Sequence, residues 1–239
     1  MKHCVYERIY VIGTGKFAFQ CAKLFWEKEK LDCVYEYGAY SQSGLENLCK
    51  KNVIPYKRLD SRIAANETMK NISRNRERTL IISASNTYIF PDWLCINEYI
   101  DIINYHPALL EYHLGRNTEA WSIWAEDAET GVTWHKVTPE IDKGNIYIEK
   151  RINLNQRITS LELMIKQYRM GIEGLKEILE KLLMQDEIEQ KIISVYGKMH
   201  YSFEKPNNGI LDVGWSEKRI SAFLRAMDYG TLNVLGIPT

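Results

Sequence analysis

Tyr99-Ile100-Asp101-Ile102-Ile103-Asn104-Tyr105-His106-Pro107 reads as one β-strand that runs into a polar edge. Ile100–Ile103 is apolar apart from Asp101, the pattern of a strand covered on both faces. Asn104 and His106 are two residues apart, so an extended chain sends both side chains from the same face. The proline that follows disfavours helix at His106 and turns the chain. In open α/β sheets, ligands bind beyond the carboxyl ends of such strands.

Working outward, Thr79–Ser83 is a second largely apolar run, and Arg8–Ile12, Asp32–Tyr37 and Val53–Tyr56 are further strand candidates. Phe17–Lys28 has helical periodicity, and Ser43 stands where it could cap a short helix through Asn47–Lys51. Strands alternating with helices predict βαβ units: an α/β fold with a Rossmann-like, mostly parallel sheet flanked by helices. Downstream, Thr118–Trp124 predicts a helix, and Gly131–Val137 and Asn145–Ile152 predict strands. Thr159 and Glu162 form a capping box that opens a long apolar-periodic helix to about Met184. Beyond it, Ile192–Tyr196 and Lys198–Phe203 predict a hairpin, Lys205–Gly209 a turn and Ser216–Ala226 a last helix. The expected organisation is a principal domain over residues 1–185 and a small C-terminal α+β annex over 186–239.

Lys plus Arg equals Asp plus Glu at 31 each, so no overall field concentrates nucleic acid or an anionic membrane. The five cysteines form no Cys-x-x-Cys pair and no zinc spacing with histidine, which predicts free thiols, a reducing compartment and no metal. No apolar stretch approaches the roughly 20 residues of a membrane span, and residues 1–8 lack an apolar signal core. A cytoplasmic protein with neither nucleic-acid nor membrane partners is the expectation.

A second polar cluster, Thr138-Pro139-Glu140-Ile141-Asp142-Lys143-Gly144, follows the strand that ends near Val137. Together with Asn104 and His106 it offers an amide donor, an imidazole and a carboxylate. Such a set suits attack of an amine on an acyl carbon: a donor for the oxyanion, a proton shuttle and an acceptor for the amine proton. On residue types alone, each has a structural alternative. His106 could be a satisfied strand-end group, Asp142 a turn former before glycine and Asn104 a loop cap.

Asn104-Tyr105-His106-Pro107-Ala108-Leu109-Leu110, Gly115-Arg116-Asn117, Thr130-Gly131-Val132-Thr133-Trp134-His135 and Ile141-Asp142-Lys143-Gly144-Asn145-Ile146 occur in that order. The series resembles the folate-dependent formyltransferases, whose pattern reads N-x-H-x-S-L-L-P, then G-V-T-x-H, then D-x-G-x-I. That family includes sugar N-formyltransferases, formylation domains of peptide synthetases, and the glycinamide ribonucleotide and methionyl-tRNA formyltransferases. The resemblance implies that Asn104, His106 and Asp142 are catalytic and that the formyl donor is 10-formyltetrahydrofolate. Ala108 and Glu111 depart from the family's Ser and Pro, and Asn145 from its usual Asp.

By the same resemblance, Tyr88, Ile89 and Phe90 would form one wall of the folate pocket, with Val137 and Pro139 opposite. Arg116, Asn117 and Trp121 would meet the acceptor, Arg116 by matching an anionic group. The acceptor is expected to be a small-molecule amine, first a nucleotide-linked amino sugar, with an aminoacyl group on a carrier protein second. The annex, whose Asn233–Pro238 run adds to the likeness, would support the acceptor site or a homodimer contact. His135 is read first as a packed surface histidine and second as a secondary polar group pointing into the site, and no role is read for His113 or His200. Two other classes compete: a non-catalytic folate-binding module, and an NAD-dependent oxidoreductase. The second rests on Gly13-Thr14-Gly15-Lys16-Phe17-Ala18 and on Glu36, positioned like a ribose-binding acid.

Overall fold

The computed structural model describes residues 4–38, 43–184 and 188–230. The described chain forms two compact units: Met1–Tyr105 with Trp134–Ile148 and Ile172–Lys191, and His106–Thr133 with Glu149–Gly171 and Ile192–Thr239. The expected domain boundary at 185/186 and the Asn233–Pro238 run lie outside the described residues.

The first unit begins with β1 (Arg8–Gly13), α1 (Gly15–Trp26), β2 (Cys33–Tyr37), α2 (Leu45–Lys51), β3 (Tyr56–Leu59), α3 (Arg62–Arg74), β4 (Thr79–Ala84) and the short α4 (Asp92–Cys95). Then come β5 (Ile100–His106), β6 (His113–Gly115), α5 (Thr118–Ala125), β7 (Glu129–Lys136), β8 (Ile146–Asn153) and α6 (Ser160–Met184). β9 (Lys198–His200), a 3₁₀ turn at Pro206–Gly209 and α7 (Glu217–Met227) complete the described elements. The sheet order is β3-β2-β1-β4-β5-β7-β8, and the four pairs from β3 to β5 are parallel. Parallel neighbours need crossover connections, which α1, α2 and α3 supply. The order reverses between β1 and β4, the kind of switch point at which α/β sheets open a crevice. β5, β7, β8 and α6 each continue along the chain from one unit into the other.

All six residues of β4 are buried, as its apolar run predicts. Gly13 is required where β1 ends, because a Cβ there would stand 1.9 Å from the Ala84 carbonyl oxygen. The first unit's core gathers Ile12, Leu59, Met69, Ile81, Leu94 and Ile102. Within that unit, Phe17 packs on Tyr105 and on Trp134, with ring centroids 4.3 and 6.2 Å apart. The second unit has its own core of Ala120, Ile123, Ile152, Ile158, Leu163, Ala226 and Tyr229. Thr159 and Glu162 make the capping box reciprocally: Glu162 N donates to Thr159 Oγ1 at 3.3 Å and Thr159 N to Glu162 Oε2 at 3.1 Å. No helix among the described residues is long and apolar enough to cross a membrane.

Three local expectations need correction. The third strand is Tyr56–Leu59, later than Val53–Tyr56, because Val53 takes a left-handed conformation (φ 58°) while closing α2. α3 was not anticipated; its mean polarity hides a buried stripe of Ala65, Thr68, Met69 and Ile72. The hairpin at 192–203 does not form. Only Lys198–His200 is a strand, and it pairs in parallel with His113–Gly115, while Ile192 and Val195 are exposed.

Trp134 is fully buried against two aromatic rings. Trp134→Ala should therefore lose about 3–5 kcal/mol of stability in a urea titration.

Candidate active site

In the first unit, the parallel ladder sets Ser83 of β4 directly opposite Asn104 of β5. Ser83 Oγ donates to Asn104 Oδ1 at 2.7 Å and accepts from Asn86 Nδ2 at 3.4 Å. These bonds fix the Asn104 amide with its nitrogen toward His135 Nε2, 3.2 Å away. His135 Nδ1 lies 2.9 Å from the Lys136 carbonyl oxygen, which can only accept, so Nδ1 carries the hydrogen. In the neutral ring, Nε2 is then the lone-pair nitrogen and accepts from Asn104.

Asp142 Oδ1 lies 3.4 Å from the same His135 Nε2. Both side chains are buried, His135 at 2% exposure and Asp142 at 9%. A carboxylate beside an imidazole nitrogen is favourable when a proton sits on the pair. The contact sets an imidazole and a carboxylate next to the Asn104 amide. Asp142 adopts φ 55°, a left-handed conformation that Asp tolerates in turns. Gly144 lets the turn close, since a Cβ there would meet the Lys136 carbonyl oxygen at 1.7 Å. The reading of His135 as a surface histidine is thus corrected: it joins Asn104 to Asp142.

Tyr88 and Phe90 are buried edge to face at 5.3 Å, and Val137 packs on the same cluster. Tyr88 Oη donates to Asn66 Oδ1 at 2.6 Å. Ile89 is half exposed and Pro139 is exposed, so neither belongs to that core. Glu36 is fully buried and accepts from Thr14 Oγ1 at 3.0 Å, from Tyr56 Oη at 2.6 Å and from Ser43 Oγ, with Arg58 Nη2 at 3.5 Å. The carboxylate read as a possible ribose ligand is thus engaged by the turn after β1 and by β3.

In the second unit, His106 is 2% exposed and its Nε2 donates to the His113 carbonyl oxygen at 2.8 Å. His113 in turn bonds Asp127 Oδ2 through Nε2 at 2.8 Å and His200 Nε2 through Nδ1 at 3.0 Å. The Trp121 ring stacks on His200, centroids 4.2 Å apart at 13°. Arg116 is exposed, and Asn117 takes a left-handed conformation (φ 56°) just before α5. The departures from the family pattern have local explanations: Ala108 is fully buried, and Glu111 pairs with Arg151 at 2.6 Å. In the first unit, Asn145 donates to Gln190.

Ser83, Asn86, His113 and His200 were not read as site residues. The β4/β5 register alone points to Ser83, whereas the histidine pair joins β6 to β9 across 87 residues of sequence and leaves no local pattern.

Two buried groups of the second unit give opposite pH signatures. Burial, then the nearby His113 and Lys198, lowers the His200 pKa to about 4. The unfolded state then takes up its proton first, so stability falls as pH drops from about 6.5 to about 4. Burial raises Glu119 to about 7 against its bond from Tyr229, so its contribution is lost as pH climbs from about 4.5 to 7. Glu119→Gln should raise Tm at pH 8 and leave it unchanged near pH 4; His200→Gln should flatten the acid side of the same curve. Unaltered Tm–pH profiles in both variants would contradict these assignments.

The formyl transferase family model matches residues 40–179 of the chain. GDP-perosamine N-formyltransferase of Brucella melitensis is 29% identical over 164 residues, 69% of this chain and 62% of that protein. Methionyl-tRNA formyltransferase of Buchnera aphidicola is 29% identical over 129 residues, 53% of this chain and 40% of that protein. The chain thus spans under two thirds of the length of these relatives. Among solved structures, a sugar N-formyltransferase from a Shewanella species superposes with a TM-score of 0.77 at 20% identity, covering 95% of this chain and 90% of that one. The N-formyltransferase from Helicobacter canadensis, solved with folinic acid and dTDP-3-aminofucose, gives 0.72 at 18% identity over 92% and 80%. These structures share the fold, and the family model covers more than half of the chain: this protein belongs to the formyl transferase family.

Proposed function

We propose that the protein transfers a formyl group from 10-formyltetrahydrofolate to the primary amine of a nucleotide-linked amino sugar, in the cytoplasm. The observation that carries this reading is the hydrogen-bonded chain Asn86–Ser83–Asn104–His135 beside Asp142. It holds Asn104 of the family motif in a fixed hydrogen-bonded orientation and sets Asp142 beside the same histidine. The relatives named for GDP-perosamine and crystallised with dTDP-3-aminofucose support the acceptor class. The folinic acid in the Helicobacter structure supports the donor.

In this reading, the amine attacks the formyl carbon, and the carbonyl oxygen gains negative charge as the C–N bond forms. Asn104 Nδ2 donates to that oxyanion. Asp142 accepts the amine proton, with His135 beside it to share the charge. His106, which takes up a proton at Nδ1 because Nε2 is committed to the His113 carbonyl, gives that proton to the departing folate nitrogen; the proton Asp142 accepts from the amine returns through solvent to restore both groups. Tyr88, Ile89, Phe90, Val137 and Pro139 line the donor pocket, and Arg116, Asn117 and Trp121 receive the acceptor. Residues 1–185 carry the chemistry, and the 186–239 annex supports the acceptor side.

The test is incubation with 10-formyltetrahydrofolate and a panel of amines: nucleotide-linked amino sugars, aminoacyl carrier proteins and initiator methionyl-tRNA. A nucleotide-sugar product heavier by one CO is the expected outcome; formylation of only a carrier or tRNA would overturn the acceptor assignment. His106→Ala and Asp142→Asn should each lower kcat by about three orders of magnitude with donor binding retained. A loss below about tenfold in either would remove that residue from the catalytic centre.

A further inference from the structure

Gln167 occupies a position on α6 where the helical repeat calls for hydrocarbon. It is fully buried, as is Leu163 one turn earlier. Its Nε2 donates to the Pro107 carbonyl oxygen at 2.6 Å and to the Gly131 carbonyl oxygen at 3.0 Å. Only the NH₂ end of an amide can serve two carbonyls, so the orientation is fixed. Its Oε1 is left buried, and no hydrogen-bond partner meets it among the described residues. A methionine of similar volume would remove that unsatisfied acceptor but would also withdraw the donor from the Pro107 and Gly131 carbonyls.

Pro107 directly follows His106. It has no N–H, so its carbonyl is its only main-chain handle. That carbonyl also accepts from Thr118 Oγ1 at 2.8 Å, and the next one, of Ala108, accepts from Thr133 Oγ1 at 2.7 Å. Side chains from α5, α6 and β7 therefore grip the two peptides that leave His106, while its ring is held by the His113 carbonyl.

We propose that Gln167 is a positioning residue, which clamps the Pro107 carbonyl and thereby fixes the backbone and tautomer of His106. The proposal rests on the reading of His106 as catalytic. Geometry is what a clamp of this kind protects, since a displacement of about 1 Å can lower a rate on the order of a hundredfold.

Gln167→Met tests it, with Tm, steady-state formyl transfer and ¹⁵N-histidine NMR as readouts, the His106 signal being assigned by its loss in His106→Ala. The expected variant folds. Its kcat falls about ten- to a hundredfold, with KM for the formyl donor within about threefold. Its His106 changes from the Nε2–H tautomer to a mixture. A folded variant with wild-type kcat and an unchanged His106 signal would overturn the proposal. Should Gln167→Met fail to fold, Thr118→Val removes the other donor to the same carbonyl and should show the same kcat-only loss; wild-type kcat there would also overturn it. If the wild type formylates none of the amines, the catalytic reading fails, and the His106 tautomer in the two variants still decides whether the clamp exists.

Discussion

A polar group taken out of water must be hydrogen-bonded or it destabilises the fold, and β5 ends in two of them. The strand is hydrocarbon through Ile102 and Ile103, then delivers a half-buried Asn104 and a buried His106. The neighbouring elements answer this demand. β4 places Ser83 in register with Asn104, β7 brings His135 to its amide nitrogen, and β6 gives His106 a main-chain carbonyl. Each partner is itself held: Ser83 by Asn86, His135 by the Lys136 carbonyl, and His113 by Asp127 and His200. Satisfaction of the strand end thus propagates outward and sets which polar residues the surrounding loops must contain.

The same logic separates this chain from the dinucleotide binders that its first turn resembles. A tight strand-to-helix turn needs Gly13 because the Ala84 carbonyl is too close for any side chain, whatever ligand is bound. In dinucleotide binders the acid at the end of the second strand is turned toward a ribose. Here Glu36 is fully buried and ties Thr14, Ser43 and Tyr56 together. Its charge serves as an internal post that fastens the turn after β1 to β3. One fingerprint thus describes a backbone geometry shared by folds that use it differently.

What could be read from the chain follows from which interactions are local. The β4 and β5 runs and the Thr159–Glu162 box are written in neighbouring residues, and each appears as read. β3 was displaced because the left-handed φ of Val53 depends on how α2 ends. α3 was missed because its buried stripe of four residues is diluted by nine that are not buried, most of them polar. The parallel pairing of β6 with β9 replaced an expected hairpin, and no period within either segment encodes a partner so distant. His135 shows the same limit at the site. A histidine in a strand of buried residues gives no sign of its partners until the β5 and β7 ends are known.

The two histidines of the motif carry opposite tautomers, and main-chain carbonyls choose them. His135 gives its Nδ1 hydrogen to Lys136, which leaves Nε2 toward Asn104 and Asp142. His106 gives its Nε2 hydrogen to His113, which leaves Nδ1 as its basic nitrogen. A carbonyl accepts without carrying a formal charge, so it fixes which nitrogen is basic without also fixing whether the ring is protonated. A carboxylate in either place would favour the imidazolium and bias the proton toward one side of the reaction. Carbonyl partners fix which nitrogen of each ring carries the hydrogen. That choice of nitrogen depends on the backbone around Lys136 and around His113 staying in place.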